Sequence, residues 1–214
     1  MAYVKASERR RQLVSAARVV LVRDGVASTT LRSVAAEAGV PLGTLHYAFS
    51  SKELLLTAVF EDVRDEVSAV LNDVAEKGTG LELAIRHGLT TFWEQQIVGD
   101  PRLPLMRQEL FLYAVRTPGL EALARRQVEG YGQIVAEWCR DAATNAGEVS
   151  EVPFETLARA LVGGTLGLAM HYLGDPDQAR SRQDVEALAE MVVRLAAVRP
   201  ASDPQVVDRG SSRA

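Results

Sequence analysis

Apolar residues recur every three to four positions along almost the whole chain, and no stretch alternates between apolar and polar residues as a strand does. This pattern predicts an all-α fold of about nine helices. The longer helices are predicted at about 52–76, 81–97, 104–115, 120–146, 153–173 and 183–198. The segment 104–115 is apolar on more than one side, which predicts a helix buried at the centre of the body formed by these longer helices. Residues 200–214 are polar and without periodicity, so we expect a disordered tail.

Between Ser28 and Leu55 the signals are shorter and more closely spaced. Thr30 can cap a helix by accepting a hydrogen bond from the Ser33 amide, and apolar residues follow it at helical spacing. Gly39 stands where a left-handed residue ends a helix, and Pro41 stands where a new helix begins. The order of short helix, turn, short helix and capped long helix predicts a helix-turn-helix motif, although an ordinary pair of core helices would use the same residue types.

The second helix of such a motif enters the major groove of duplex DNA, and here it spans residues 42–48. Leu45 and Phe49 lie four residues apart, so both would face the core of a small domain. The residues left to face outward are Gly43, Thr44, His46 and Tyr47.

About the first 55 residues resemble the tetracycline-repressor (TetR) family of bacterial regulators. The matching residues are Thr30, Val34, Ala35, Ala38, Gly39, Val40, Gly43, Thr44, Leu45, Tyr47, Phe49, Ser51, Lys52, Glu53 and Leu54. The resemblance implies a helix-turn-helix DNA-binding domain at 1–52, a helical effector-binding and dimerisation domain at 53–199, and a tail at 200–214. It also implies a ligand-responsive transcriptional repressor that binds a pseudo-palindromic operator as a dimer and is released by a small-molecule effector.

The resemblance assigns contacts with DNA to particular residues. It implies phosphate contacts from Thr30, Thr44, Tyr47 and Lys52, and base contacts from Arg32, Gly43 and Thr44. Arg32 has the geometry to pair with guanine, although a solvated surface arginine is the alternative. The chain has His46 where the family commonly has tyrosine, and Ala48 where it has histidine or an aromatic residue. His46 stays a candidate, whereas Ala48 cannot make the phosphate contact.

Charge is unevenly distributed along the chain. The net charge is −4, yet Met1 to Lys52 holds eight basic and three acidic residues, so this part carries +5 and the remainder −9. A basic head on an acidic body suits a protein that neutralises phosphates. Arg9, Arg10 and Arg11 lie at a predicted helix start, where they oppose the helix dipole. This favours a phosphate partner over a solvated tail.

Composition argues against several other classes of protein. The longest apolar run, 161–170, is about half the length needed to span a bilayer, and the N-terminal residues hold no apolar signal region, so we expect a cytoplasmic protein. The single cysteine, Cys139, excludes an internal disulfide and fits a buried structural thiol. The three histidines lie far apart, and no phosphate-binding loop or nucleophile elbow is present, so we expect no metal, no cofactor and no enzyme.

The last two predicted helices carry more than one apolar face. In the first of them a face of large residues is joined by a face of small ones, and helical glycines cost about 1 kcal/mol each relative to alanine. We therefore expect close approach of another backbone in a two-fold, four-helix interface; the alternative is a monomer in which this face packs under a loop. The predicted interface residues are Leu157, Ala160, Gly163, Gly164, Gly167, Leu188, Val192 and Leu195.

Polar and aromatic residues interrupt the apolar faces of the central helices. Gln127 is the clearest case, because a buried amide costs free energy unless it is hydrogen-bonded. The candidates for an effector pocket are His87, Trp93, Arg107, Glu109, Gln127, Tyr131, Trp138 and His171. Each of them alone fits an ordinary core position better, but as a set they predict an aromatic cavity between the middle helices. The segment 109–127 resembles a TetR subgroup that includes the choline-responsive regulator, which would make Trp93, Tyr131 and Trp138 a cage for a cation.

The expected partners are double-stranded operator DNA, a second copy of the chain and a small-molecule effector. Two further hypotheses come from other classes. The first is a helical small-molecule or protein-binding module without DNA recognition, which Ala48 makes conceivable. The second is an all-α enzyme. A salt-dependent shift of genomic DNA fragments distinguishes the regulator from both.

Overall fold

The computed structural model describes residues 6–74 and 80–201. Within those ranges the chain forms nine α-helices, and the predicted all-α class is confirmed. The helices are α1 (Ala6–Ser28), α2 (Leu31–Glu37), α3 (Leu42–Ala48), α4 (Lys52–Val74), α5 (Gly80–Trp93), α6 (Arg102–Arg116), α7 (Glu121–Asn145), α8 (Phe154–Gly174) and α9 (Gln178–Ala196). A π-helical turn, Glu94–Val98, follows α5. None of the described helices is long and apolar enough to cross a bilayer.

Several boundaries differ from the predicted ones. The helix expected at 81–97 is α-helical only to Trp93 and then widens into the π-turn. Helix α9 begins at Gln178, because the Asp177 side chain accepts a hydrogen bond from the Arg180 amide at 3.0 Å and caps it. Residues 75 and 76, predicted to end α4, lie outside the described residues.

A short strand pair corrects two expectations about the end of the chain. Strand β1 (Glu148–Val149) pairs antiparallel with β2 (Arg199–Pro200), although no strand was predicted. The Ala201 amide then donates to the Gly147 carbonyl at 2.7 Å. Backbone pairing thus holds residues 200 and 201, which were expected in the disordered tail; residues 202–214 lie outside the described residues.

The predicted local signals form the helix-turn-helix. Thr30 and Ser33 make a reciprocal capping box, in which each side-chain oxygen accepts a hydrogen bond from the other residue's amide at 3.0 Å. Gly39 adopts φ +64°, a left-handed conformation that glycine enters without steric cost. Leu45 and Phe49 are both fully buried, as the four-residue spacing predicts.

Two hydrophobic cores hold the helices together. The first core joins α1, α2 and α3 to the N-terminal half of α4, to α6 and to the start of α7. The second core joins the end of α4, α5, the rest of α7, α8 and α9. Tyr131 of α7 packs against both cores. Helices α4 and α7 each contribute residues to both cores and so connect them.

Helix α6 lies between two parts of the molecule. We call α1, α2, α3 and the start of α4 the head, and the helices of the second core the body. Met106, Leu110 and Ala114 are buried in the first core, whereas Leu105 and Leu112 are 48% and 49% exposed. The expectation of a helix at the centre of the body was therefore wrong, because the buried side of α6 packs in the first core against α1 and the start of α7.

Candidate nucleic-acid interface and effector cavity

The DNA-binding residues predicted in α3 are accessible to solvent. Tyr47 is 94% exposed, Gly43 and His46 are exposed, and Thr44 is half-buried. The buried Leu45 and Phe49 fix the helix from its other side. Outside α3, the predicted contacts Thr30 and Arg32 are also exposed. All six residues are therefore accessible to a DNA duplex that approaches α3.

Lys52 differs from the other predicted phosphate contacts. Its Nζ donates to the Val26 carbonyl at 2.6 Å and lies 4.8 Å from the centroid of the Tyr113 ring. Burial lowers the pKa of Lys52. The ammonium group thus satisfies a carbonyl at the C-terminal end of α1 and links α4 to α6, so its first role in this structure is to hold the head together.

Carboxylates neutralise two arginines of the head. Arg18 pairs with Asp62 at 2.8 Å and with Glu66 at 2.7 Å. Arg23 pairs with Asp24 at 2.8 Å and with Glu37 at 2.7 Å. Because these pairs cancel locally, neither guanidinium adds much to the positive potential of the head. Among the described residues, the arginines without a carboxylate partner in this region are Arg9, Arg10, Arg11 and Arg32.

Arg10 has a defined position beside the end of α3. Its guanidinium carbon lies 4.3 Å from the centroid of the Phe49 ring, and Nη1 donates to the Ala48 carbonyl at 3.5 Å. The sequence places Arg10 in a basic run without showing that it reaches α3, which lies 38 residues further along the chain. The charge of Arg10 is therefore fixed where the side chain of Ala48 is too short to contact a phosphate.

A cavity of about 530 Å³ lies between α4, α5, α6, α7 and α8. Its walls are mainly apolar, which is typical of sites for organic molecules of this size. The larger polar side chains that line it are Arg107, Gln108, Gln127, Tyr131, Trp138 and Arg159. The cavity thus brings together four of the eight predicted pocket residues.

Those four residues share an uncommon property. Arg107 Nε, Gln127 Oε1, Tyr131 Oη and Trp138 Nε1 are buried without a hydrogen-bond partner in the described part of the chain. Buried polar groups are nearly always paired, so four orphaned atoms on residues that line one cavity leave hydrogen-bonding capacity that a further molecule could use. Burial lowers the pKa of Arg107 and raises the pKa of Tyr131, which means that desolvation opposes the charged form of each.

Two of the remaining predicted pocket residues are engaged elsewhere in the structure. Trp93 is buried in the second core, where Nε1 donates to Ser181 Oγ at 3.3 Å and the ring packs edge-on against Tyr172. Glu109 Oε2 accepts a hydrogen bond from the Val26 amide at 3.2 Å, at the junction with α1.

The other two, His87 and His171, are exposed and do not line the cavity. With Trp93 in the second core, the three aromatic residues expected to form a cation cage do not surround one space.

The predicted dimer interface divides into exposed and covered residues. Gly163, Gly167 and Leu195 are exposed, and Ala160 is half-buried. Leu157, Leu188 and Val192 are buried within the protomer. Gly164 also faces inward, because a Cβ there would lie 2.5 Å from Leu188 Cδ1. These four residues hold α8 against its own chain and are not available to a partner.

Sequence reasoning missed three exposed apolar residues on the same two helices. Leu166 and Met170 of α8 are 41% and 54% exposed, and Met191 of α9 is 62% exposed. With Gly163 and Gly167 the exposed α8 positions follow the i, i+3, i+4, i+7 spacing of one helical face. This spacing is visible in the sequence and could have identified the exposed face. The buried residues of the same helix, Leu161, Thr165, Ala169 and Tyr172, follow a second row with similar spacing.

Comparisons with known proteins decide the family. Residues 13–59 match the model described as bacterial regulatory proteins of the tetR family, and residues 85–198, more than half of the chain, match the tetracyclin repressor-like C-terminal domain. The chain belongs to the TetR family. The predicted family and its function as a helix-turn-helix transcriptional regulator are confirmed.

Three similar proteins extend over most of this TetR-family chain. The HTH-type nicotine-responsive transcriptional repressor HdnoR of Paenarthrobacter nicotinovorans is 26% identical over 187 residues, which cover 87% of this chain and 95% of the relative. The crystal structure of the multidrug binding protein EbrR complexed with imidazole is 28% identical, with a TM-score of 0.62 and coverage of 88% and 90%. A TetR-family regulator from Rhodococcus sp. shares the fold, with a TM-score of 0.73 at 20% identity and coverage of 89% and 99%.

Proposed function

We propose that this TetR-family protein is a dimeric repressor that binds a pseudo-palindromic operator through α3 and leaves the DNA when an organic molecule fills the cavity. The observation that carries this proposal is the position of α6. One side of that helix lies in the core of the head, and the other side lines the cavity. Operator DNA as the partner implies the cytoplasm as the compartment.

The two sides of α6 supply the physical connection. Pro104, Arg107 and Phe111 line the cavity, whereas Leu110 is buried in the head core. Glu109 and Tyr113 extend this second contact, because Glu109 accepts from the Val26 amide and Tyr113 lies under Lys52. A molecule that displaces α6 at the cavity therefore also displaces the end of α1 and the start of α4. Since half-site spacing is a geometric demand, such a displacement lowers DNA affinity.

The dimer is supported by the exposed apolar face of α8 and α9. Met170, Met191 and Leu195 leave apolar surface in solvent on adjacent helices, and the glycines at 163 and 167 would let a second backbone approach closely. A second copy on this face gives two heads for the two halves of a palindrome. The interface proposed here keeps Gly163, Gly167, Leu195 and Ala160 and adds Leu166, Met170 and Met191. Gly163, Leu166, Gly167 and Met170 also line the cavity, so the second copy would lie against it.

The identity of the effector does not follow from that of the relatives. The relative from Paenarthrobacter is nicotine-responsive, and nicotine is an amine that takes up a proton. The cavity of this protein is lined by two arginines and, within the described residues, by no carboxylate. We therefore propose an organic effector of a different charge.

A gel-shift titration on genomic fragments tests DNA binding. We expect Tyr47→Ala to weaken binding to all bound fragments by about tenfold, because a phosphate contact is lost irrespective of sequence. Arg32→Ala should also relax the preference among fragments. Val19→Ala is the matched control, since Val19 is an exposed apolar residue of α1, and it should change affinity less than twofold. Unchanged affinity in both test variants would contradict the proposal.

Sedimentation velocity tests the dimer. Met191→Arg puts a charge on the proposed interface and should shift the protein towards the monomer. Leu112→Arg introduces the same charge at an exposed apolar site on α6 and should leave the dimer intact. A dimer that survives Met191→Arg, or a monomeric parent protein, would place the interface elsewhere.

A further inference from the structure

The charged lining of the cavity is entirely cationic within the described part of the chain. Arg107 of α6 and Arg159 of α8 are its two charged side chains. Arg159 is exposed, whereas Nε of Arg107 is buried. A protonated amine in this space would meet like charge without a carboxylate to balance it. An anion would meet two favourable charges.

Among the described residues, no carboxylate is bonded to Arg107. Arg107 Nη2 donates to the neutral Oε1 of Gln96, which the π-turn carries to this position. Glu66 acts on the charge of Arg107, but that carboxylate is already paired with Arg18 at 2.7 Å. A buried guanidinium without a carboxylate is costly, and burial lowers the pKa of Arg107 accordingly. A bound oxyanion would remove this cost.

The polar atoms of α7 give the site a direction. Gln127, Tyr131 and Trp138 stand at positions i, i+4 and i+11, which lie on one side of an α-helix. At 1.5 Å per residue they extend over about 16 Å of the helix axis. The charge of Arg107 interacts with Tyr131, so Arg107 lies near the Gln127–Tyr131 part of this row, and Trp138 lies about 10 Å further along α7.

We propose that the effector is an organic anion, an inference that rests on the proposed function. Its carboxylate or sulfonate accepts hydrogen bonds from Arg107 Nε and Tyr131 Oη, and its elongated apolar part extends along α7 towards Trp138. Hydrogen bonds from a charged donor to a charged acceptor are among the strongest in proteins. Gln127 Oε1 is an acceptor, so it selects an N–H or O–H donor next to the acidic group.

Two fluorescent probes that differ only in the acidic group test this assignment. One is 1-anilinonaphthalene-8-sulfonate, an aromatic anion with an N–H next to the sulfonate. The other is N-phenyl-1-naphthylamine, the same skeleton without the sulfonate. Both become brighter in an apolar site, so their affinities for the full-length protein can be measured by the same titration.

Arginine variants distinguish a direct contact between Arg107 and the anion from a general effect of positive charge. Arg107→Met should weaken the sulfonate probe at least tenfold and change the neutral probe less than twofold. Arg107→Lys should recover part of the loss, because it restores the charge without the planar guanidinium. Arg126→Met is the matched control, because Arg126 is an exposed arginine of α7 that does not line the cavity, and it should change the affinity for the sulfonate probe less than twofold. Equal effects of Arg107→Met on both probes, or no effect on either, would overturn the proposal.

A cavity-filling variant shows whether the probe occupies this cavity. Gly132 lines it on α7, and a Cβ added there meets no atom within 4 Å. Gly132→Leu should therefore fold and should abolish binding of both probes. Undiminished sulfonate binding in Gly132→Leu would place the probe on another surface and overturn the proposal. Thermal unfolding of each variant identifies any that fails to fold, in which case Arg107→Lys and Gly132→Leu carry the test.

DNA binding is measured separately on the same samples. Sulfonate binding that depends on Arg107 in a protein that shifts no DNA would uphold the anion site and refute the repressor. A protein that shifts DNA but does not distinguish the probes would uphold the repressor and refute the anion site.

Discussion

The core of the head and the cavity of the body treat their buried polar groups differently. In the head, Thr29 Oγ1 donates to the Gly25 carbonyl at 2.8 Å, and the Val26 amide finds Glu109 across 83 residues of sequence. Around the cavity, four polar atoms have no partner in the described part of the chain. Within the described residues, the head therefore leaves no buried side-chain polar atom without a partner, whereas the cavity gives up stability that a ligand can restore. The head therefore contributes mainly to the stability of the protein, whereas the cavity is suited to binding a ligand.

The largest expected change in stability comes from a substitution in the first core. Leu110 is 2% exposed and belongs to α6, although it packs with the head. Leu110→Ala should lower the free energy of unfolding by about 2–5 kcal/mol. Since α6 joins head and body, urea transitions followed by circular dichroism and by tryptophan fluorescence should move together.

The matched control is Leu112→Ala, because Leu112 lies on the same helix and is 49% exposed. It should change stability by less than about 0.5 kcal/mol. A Leu110→Ala protein whose two transitions separate would show that the head folds independently of α6.

A backbone change at the head–α6 junction should have the next largest effect. Gly25 adopts φ +78°, and a Cβ there would lie 3.2 Å from Glu109 Oε2. Gly25→Ala should destabilise by more than about 1 kcal/mol, measured by urea unfolding, because alanine is strained at this φ. Gly132→Ala, in the open cavity wall, should instead stabilise by about 0.5–1 kcal/mol. The same sign for both variants would contradict the contrast between the regions.

Removing single hydroxyl groups compares a hydrogen-bonded polar group of the head with an unpaired polar group of the cavity. Thr29→Val deletes a satisfied hydroxyl in the head and should cost about 1 kcal/mol. Tyr131→Phe deletes an orphaned hydroxyl on the cavity and should be neutral or stabilising while it weakens the sulfonate probe. Thermal unfolding in the absence and presence of the probe measures both effects. A large loss of stability in Tyr131→Phe would mean that the hydroxyl is already satisfied.

The smallest effect near neutral pH is expected at Cys139. Burial raises the pKa of this thiol from 9.0 to about 12. The unfolded thiol ionises first as the pH rises, so this group reduces stability between about pH 9 and 12 and has no influence below that range. Near pH 7, the native protein should not react with a thiol reagent until it unfolds. Rapid reaction of the native protein would show that the second core opens around Cys139 without global unfolding.

The head was predictable because its signals are local. The Thr30–Ser33 capping box lies within four residues, and Gly39 carries its own conformational preference. The basic run containing Arg10 was visible, but its contact with Phe49 depends on tertiary packing. Lys52 illustrates the same limit, since its carbonyl partner lies 26 residues earlier in the chain.

The cavity was only half predictable because its membership depends on distant partners. Trp93 finds Ser181 88 residues away, and Glu109 finds Val26 83 residues away, so helical spacing alone could not show that both leave the cavity. On α8, Gly163 faces outward and Gly164 inward, since consecutive helical residues point about 100° apart. A pattern of small residues therefore predicts that a helix has a second face without fixing which residues occupy it.

The ion pairs of the head also determine how the protein meets its target. Carboxylates cancel Arg18 and Arg23, and the charges that remain uncompensated among the described residues include Arg10, Arg11 and Arg32, while the rest of the chain is strongly acidic. Such a charge separation orients a molecule in the field of a polyanion before contact is made. Encounters then occur head first, the acidic body is turned away, and added salt slows the association of the protein with DNA.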